Sequence, residues 1–499
     1  MTKEEINALL AQEKQGAAIN ELKNGRGSST PEAEVYIKQL NPKEHDVMNP
    51  SIRKDKWVKV DDESGSEGDI DEGNVTKVHT EKDGSQKQLR LEKVARVAVA
   101  IQKLIVKRAV AFTFGNQVKL NAEPEENSKE EDVLKAVKRV LFETKSRSLN
   151  RKVARYIFSS TEAAELWYPV EKENKKYGFG SKYKLRVAVF SPLKGDKLYP
   201  YFDETGDLLA FSREYAIKGH DKTERHYFET YTDEAHYLWQ VKDGEWELLE
   251  GYPKANIIGK IPVVYGCQPA VEWEDVQNLI DRLEKLLSNF ADTNDYHASP
   301  KIVTKGEILG WAKKGEAGGV IEMDENGSAE YLSWAQAPES VRLEIETLLK
   351  LIYTITQTPD ISFDSVKGIS AVSGVALKLL FLDAHLKVQD KMDIFDDYLQ
   401  RRIAIIQAFL KQMNAGDKAF SEACESLAVE PEIIPFMIED EAGKTNLLLA
   451  ATGQKAVCSR KTAVQALGWV NDVDTEVAQI EEDESALSYA DLTAQEPTL

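Results

Sequence analysis

Two long amphipathic helices flanking a small β-rich module constrain what this 499-residue chain can fold into. The first is predicted over Glu272–Asp295, with Val276, Leu279, Ile280, Leu283, Leu286, Leu287 and Phe290 on one stripe at threes and fours. It spans roughly 36 Å at 1.5 Å per residue, and Pro300 forbids its continuation. The second starts at Pro338, a residue tolerated in a first helical turn, and runs to about Gln357. Its stripe is Val341, Ile345, Leu348, Leu349, Ile352 and Ile355. Between them KIVTKG, GGVIEMDENG and SAEYLSW read as short strands, and Asn326–Gly327 signals a hairpin. Such an arrangement makes a protruding stalk with a tip.

After a loop of small residues at Thr358–Ser373, a third and longer helix covers about Gly374–Met413. Its apolar stripe holds Val375, Leu379, Leu382 and Leu386, then resumes as Met392, Phe395, Leu399, Ile403, Ile406 and Leu410. The slip around Gln389–Asp393 predicts a kink or a change of packing partner. Towards the N-terminus, Gln86–Phe112 shows Leu89, Val94, Val97, Ile101, Leu104 and Ile105 at helical spacing among many bases. Those bases touch phosphate or simply form a solvated face. Gly115 ends that run, Val118–Leu120 alternates like a strand, and Glu130–Phe142 is helical again. Residues 160–265 alternate apolar and polar in segments such as KYKLRVAVF and HYLWQV, the pattern of a β-rich region. Its aromatics serve cross-strand packing or, alternatively, base stacking. After Met413 come a short β piece, PEIIPFMIED, and two helical segments.

Charge limits the function classes. With 84 Asp+Glu against 64 Lys+Arg, a net charge of -20, the chain on average repels phosphate, which excludes a free-standing nucleic-acid binder. The segment Asp61–Gly73 holds seven acids and no base, reads as a solvated insertion, and lacks the offsets of an EF-hand. Three scattered cysteines form neither a CxxC pair nor a disulfide framework, which suits a reducing cytoplasm. MTKEEINALL lacks the basic patch and apolar run of a signal peptide, and Val94–Val110 is too interrupted by charge to span a membrane. The expectation is a soluble protein kept inside a cell.

The search for chemistry is mostly negative. AGKT at Ala442–Thr445 resembles the end of a phosphate-binding loop, but the required first glycine falls on Ile438. HExxH, GxSxG and GxGxxG are absent. Asp390, Asp393 and Asp397 share one helix face with Asp396 nearby. This cluster reads as a Mg²⁺ site for phosphoryl transfer, as a solvated acidic face, or as a surface that meets a neighbouring subunit.

The order of parts resembles the portal proteins of tailed bacteriophages of the long-tailed type. FTFGNQVKL is similar to the family's aromatic–Gly–x–x–Val turn after a helix. IPVVYGCQPAVEWEDVQNLIDRLEKLLSNFADTNDYHASPKIVTKG resembles the approach to the first stem helix and the clip, with Asp275, Val276, Leu279, Ile280 and Asp281 in its acid-then-apolar pattern and Ser288 and Asp292 at the helix end. SGVALKLLFLDAHLKVQDKMDIF resembles the helix after the channel loop, and CSRKTAVQALGWVNDVDTEVAQIEEDE the family's terminal pattern. The resemblance spans about residues 86–484 and leaves out 1–85.

Residues 1–85 read as a mostly polar segment, and for the rest the resemblance implies an α+β portal fold: a wing at 86–271, stem helices at 272–296 and 338–357, and a clip at 297–337. A channel loop at 358–373, a long kinked helix at 374–416 completing the wing, and a crown with an acidic tail at 417–499 complete it. It implies a dodecameric ring at one capsid vertex of the virion, assembled in the host cytoplasm, through which double-stranded DNA is packaged and ejected. Terminase large subunit, then a head–tail adaptor, and the major capsid and scaffolding proteins are the implied partners. No enzyme activity, cofactor, metal or membrane is implied. Stem stripes too wide for one helix pair, carried by Val276, Leu279, Leu283, Leu286, Phe290, Val341, Ile345, Leu348 and Ile352, are buried between subunits in such a ring. In the channel loop Lys367 stands for transient phosphate contact or as a plain surface lysine, with Asp360, Asp364 and Ser370 as polar neighbours.

Overall fold

The computed structural model describes residues 2–11, 15–25, 33–59, 76–80, 86–220, 223–297, 302–305, 308–310, 322–323, 327–331, 337–361, 379, 381–437, 441–453, 456–470 and 472–494. The chain divides into two compact units, Met1–Pro359 with Ala384–Pro435, and Asp360–Asp383 with Phe436–Leu499.

The first unit opens with helices α1 (Lys3–Leu10), α2 (Gln15–Asn24) and α3 (Ala33–Leu40). A Thr2–Glu5 capping box fixes the start of α1. Strands β1 (Lys56–Lys59), β2 (Thr76–Thr80) and β3 (Gln86–Glu92) then form an antiparallel sheet with β3 in the centre. Helix α4 (Ile101–Phe114), strand β4 (Lys119–Asn121) and helices α5 (Lys129–Glu143) and α6 (Ser146–Ser160) follow. Next come β5 (Glu162–Asn174), β6 (Ser181–Phe190), β7 (Lys197–Phe202), β8 (Leu208–Lys218), β9 (Glu224–Tyr231), β10 (Ala235–Lys242), β11 (Glu245–Leu248), β12 (Lys254–Ala255) and β13 (Val263–Cys267). They make two antiparallel sheets, ordered β13-β5-β6 and β11-β10-β9-β8-β7, with β12 on β10. Helix α7 (Gln277–His297), short strands β14 (Ile302–Lys305), β15 (Ile308–Gly310), β16 (Glu322–Met323) and β17 (Ser328–Tyr331), and helix α8 (Ala337–Ile355) continue the chain. Helices α9 (Leu382–Met413) and α10 (Lys418–Ser426) and strand β18 (Glu430–Glu432) follow, β18 pairing with β4. The second unit carries α11 (Glu441–Ala451), α12 (Arg460–Leu467) and α13 (Val473–Ala494). The fold is thus mixed helix and sheet, and every described strand pairing is antiparallel.

The main core gathers α4, α5, α6, α7 and α9 around the β5 sheet, through Ile105, Val137, Val153, Ile157, Trp167, Ile280, Phe395 and Ile406. A buried ion pair ties α9 into it. Arg402 donates to both Glu165 carboxylate oxygens, at 3.0 and 2.5 Å, and to Asn150 Oδ1. Trp167 Nε1 donates to the same carboxylate at 3.1 Å. An ion pair fixed in this way selects one register of α9 on β5.

Several expectations change. Residues 3–24, read as part of a polar segment, bury Ile6, Leu10, Ile19 and Leu22 against Phe228 and Trp239 of the larger sheet. The stretch predicted helical from Gln86 is β3 followed by a segment without regular structure, and the helix starts at Ile101. Leu89 and Leu91 alternate with polar residues, a period of two that a helical template absorbs over so short a run. Helix α6 went unread because Arg147, Arg151, Lys152 and Arg155 dilute its buried stripe of Leu149, Val153 and Ile157. The strands on either side of Asn326–Gly327 do not pair with each other: β16 pairs with β15, and β17 with β14. Helix α9 runs unbroken through Gln389–Asp393. The slip in its stripe marks a change of burial instead, because Leu382 and Leu386 are exposed whereas Phe395, Leu399, Ile403, Ile406 and Leu410 are buried. Residues 374–378 and 380 lie outside the described residues. Helix α10 packs on α5 in the first unit, and three helices stand where two were expected in the second.

Candidate functional site

Helices α7 and α8 form an antiparallel pair, because one side chain, Lys387, bridges the start of the first to the end of the second. Val276, Ile280, Leu283 and Leu286 share a buried core with Leu348 and Ile352, while Leu279, Phe290, Val341 and Ile345 are half-buried. Arg282 crosses between the helices to Glu344 at 2.6 Å. Helix α8 has a second apolar face. Leu343 and Leu351 lie off the buried stripe and are 65% and 43% exposed, and Ile355, expected on the stripe, is 47% exposed.

The polar side of α7 is occupied by the chain that precedes α4. Alternate amides donate to side chains one turn apart on α7: Ala95 N–H to Asp292 Oδ1 at 2.6 Å, Val97 N–H to Ser288 Oγ at 2.9 Å, and Val99 N–H to Glu284 Oε1 at 2.8 Å. Arg53 reinforces one end, donating to Asp292 at 2.6 Å, Asn289 at 2.8 Å and the Ala95 carbonyl at 2.8 Å. His45 reinforces the other. Its Nδ1 lies 2.7 Å from Glu284 Oε1 and its Nε2 2.7 Å from the Gln39 carbonyl. A carbonyl accepts only, as does an ionised carboxylate, so this geometry fits a doubly protonated imidazolium. Burial works against that proton, but the Glu284 carboxylate and the Gln39 carbonyl outweigh it and hold the His45 pKa above the usual value.

The root of the α7–α8 pair is a buried cluster of charge. Glu272, just before α7, faces Lys387 at 2.5 Å and Lys391 at 3.0 Å. Lys387 also donates to the Thr356 carbonyl at 2.9 Å, and Arg108 donates to the Pro359 carbonyl at 2.6 Å. Arg108 lies over the Tyr353 ring, 5.5 Å from its centroid. Two cations thus hold carbonyls at the C-terminal end of α8, where the helix dipole is negative. Burial pushes the Glu272 carboxyl up, yet the two ammonium groups prevail and hold it below the ordinary range. Burial, joined by repulsion from Lys391, pushes the Lys387 ammonium down.

Of the expected loop residues, Asp360 is exposed just past this root, and Asp364, Lys367 and Ser370 lie outside the described residues. Asp390, Asp393, Asp396 and Asp397 are exposed. Partial burial, Asp397, Asp393 and Glu430 raise the Asp396 pKa. Among the described residues, no group of three or more His, Cys, Asp or Glu side chains is placed to hold a metal ion. Ala442–Thr445 lies within α11, not in a phosphate-binding loop. The tether and the root were missing from the sequence reading. The available signal was Glu284, Ser288 and Asp292 at i, i+4 and i+8, a line of acceptors on a helix otherwise read for its apolar face.

Among the described residues no helix is long and apolar enough to cross a membrane. In structure the chain is similar to one in the neck of an empty GTA particle computed with C6 symmetry, at 12% identity and TM-score 0.41, covering 74% of this chain and 88% of that one. A chain of the native particle's neck computed with C12 symmetry gives 11% identity and TM-score 0.38, and one of the native gene transfer agent virion 13% and 0.38, both with the same coverage. No curated protein matches the sequence. The family described as phage portal protein, SPP1 Gp6-like, matches residues 49–488, which include both α7 and α8. The chain belongs to this portal protein family.

Proposed function

We propose that this protein is the subunit of a portal ring of twelve copies at one vertex of a phage capsid. The ring is the conduit for packaging and ejecting double-stranded DNA, and the platform for terminase and then a head–tail adaptor, with major capsid and scaffolding proteins around it. In this reading 86–271 with 374–416 is the wing, α7 and α8 are the stem, 297–337 is the clip, 358–373 lines the channel and 417–499 is the crown. Asp360, Asp364, Lys367 and Ser370 are then the residues nearest the DNA.

The observation that carries the proposal, beside the family itself, is the second apolar face of α8. A long helix with apolar residues on two sides is stable when both are covered. Within one chain α7 covers only the first of them. A neighbouring stem in a closed ring covers the other.

The experiment is negative-stain imaging of the wild type and of Leu343→Asp/Leu351→Asp. Rings with a central hole are expected for the first, and folded particles without rings for the second. Unaltered rings from the double variant overturn the assignment of this face to the subunit contact. Leu283 suits this test less well, because it is buried within the single chain and its replacement by Asp reports on folding.

A further inference from the structure

Between Lys135 and Arg155 eight basic residues stand against one acid, in a chain whose net charge is -20. The fold gathers several of them around a cavity of about 1180 Å³ between β4, the α5–α6 turn and α9. Lys138, Lys145, Arg147 and Arg151 line it, and among the described residues none of the four has an acidic partner. Lys119, also at the rim, lies 3.5 Å from Glu432. The one lining carboxylate, Glu143, is already taken by Lys184 at 2.9 Å and Arg139 at 3.3 Å. Below them Arg402 is committed to Glu165.

Like charges left together without counter-charge repel one another, so a grouping of this kind favours a polyanion. The turn that holds it is specific: Lys145 sits at φ 57, in the left-handed region, and starts α6 without a side-chain cap. Amides at the head of α6 therefore add their positive end to the cations that already define the groove. Phosphate groups satisfy both donors at once. An acidic amphipathic helix is the competing occupant, because Leu399, Ile403 and Phe142 make part of the lining apolar. The four cations without an acidic partner among the described residues favour the phosphodiester backbone.

We infer that this groove is a static binding site for the backbone of double-stranded DNA, separate from the channel loop. The inference rests on the proposed role of the chain as a DNA conduit. An acidic chain thereby confines its grip on DNA to one basic surface.

The test uses the full-length chain and a labelled duplex of about 30 base pairs, with affinity followed by fluorescence anisotropy. Four phosphate contacts give a log–log salt slope of about -3.6, a loss of roughly 150-fold between about 50 and 200 mM salt. Lys138→Gln/Arg147→Gln/Arg151→Gln should reduce the slope to about -0.9, with unchanged circular dichroism. Lys172→Gln/Lys175→Gln/Lys176→Gln, three exposed lysines away from the groove, should leave the wild-type slope. An equal effect of the two triple variants, or no DNA binding at 50 mM salt, overturns the site. Displacement of the duplex by poly-glutamate at equal charge assigns the groove to an acidic protein and overturns it as well. Imaging the same preparations shows whether rings form, so failure of the groove is distinguishable from failure of the portal reading.

Discussion

Two ammonium groups share the buried Glu272 carboxylate; Lys387 also donates to the Thr356 carbonyl, and Lys391 reaches the exposed Asp390 at 3.5 Å. Removing the carboxylate leaves the buried Lys387 without an ion-pair partner among the described residues. Glu272→Gln, similar in shape, is expected to cost about 3–5 kcal/mol, measured as a lowered urea midpoint. A midpoint within error of wild type would show that water reaches the cluster. His45 makes a prediction in pH. Its folded pKa is raised, so its contribution is complete below the unfolded value, near 6.5, and is lost as pH rises through the folded value. The melting temperature of the wild type should therefore fall as pH rises above about 6.5, more steeply than that of His45→Gln. Parallel curves would remove His45 from the account. Neither residue was legible beforehand, since a lone His and a lone Glu acquire meaning only from partners more than a hundred positions away.

At the scale of elements, the two long helices were legible to within about five residues at each end. Long periodic stripes such as Val276 to Phe290 survive any local ambiguity. The segment from Leu89 to Val99 was misread for the opposite reason: its apolar residues fit both periods, and its true partner is a helix face nearly two hundred residues later. The tether itself is testable. Ser288→Ala removes the acceptor of the Val97 amide and should cost about 1–2 kcal/mol, with faster hydrogen exchange at Val97 and Val99 than at the Ile280 amide inside α7. Uniform exchange rates across these amides would mean that the segment is not held by this ladder.

For the molecule as a whole, the family was readable from the order of its parts, whereas the proposed ring rests on an apolar helix face that one chain leaves exposed. The charge distribution was only half read. The acidic excess was plain in 61–73 and beyond Lys461, but the basic residues that matter came together only through the α5–α6 turn. Deleting Val366–Ala371 should leave rings intact while DNA packaging or retention falls; normal packaging by that deletion would remove the loop from the channel. The ladder between Ala95, Val97, Val99 and α7 has a mechanical meaning at this scale. Two residues of extended chain advance about 6.6 Å, whereas one four-residue step of a helix advances about 6.0 Å. The two rulings form a vernier: they coincide over three marks and drift apart by nearly 2 Å at a fourth. The segment before α4 thus grips α7 at a single setting, and a helix that slides past it must let go of all three marks together and click into place elsewhere, never creep.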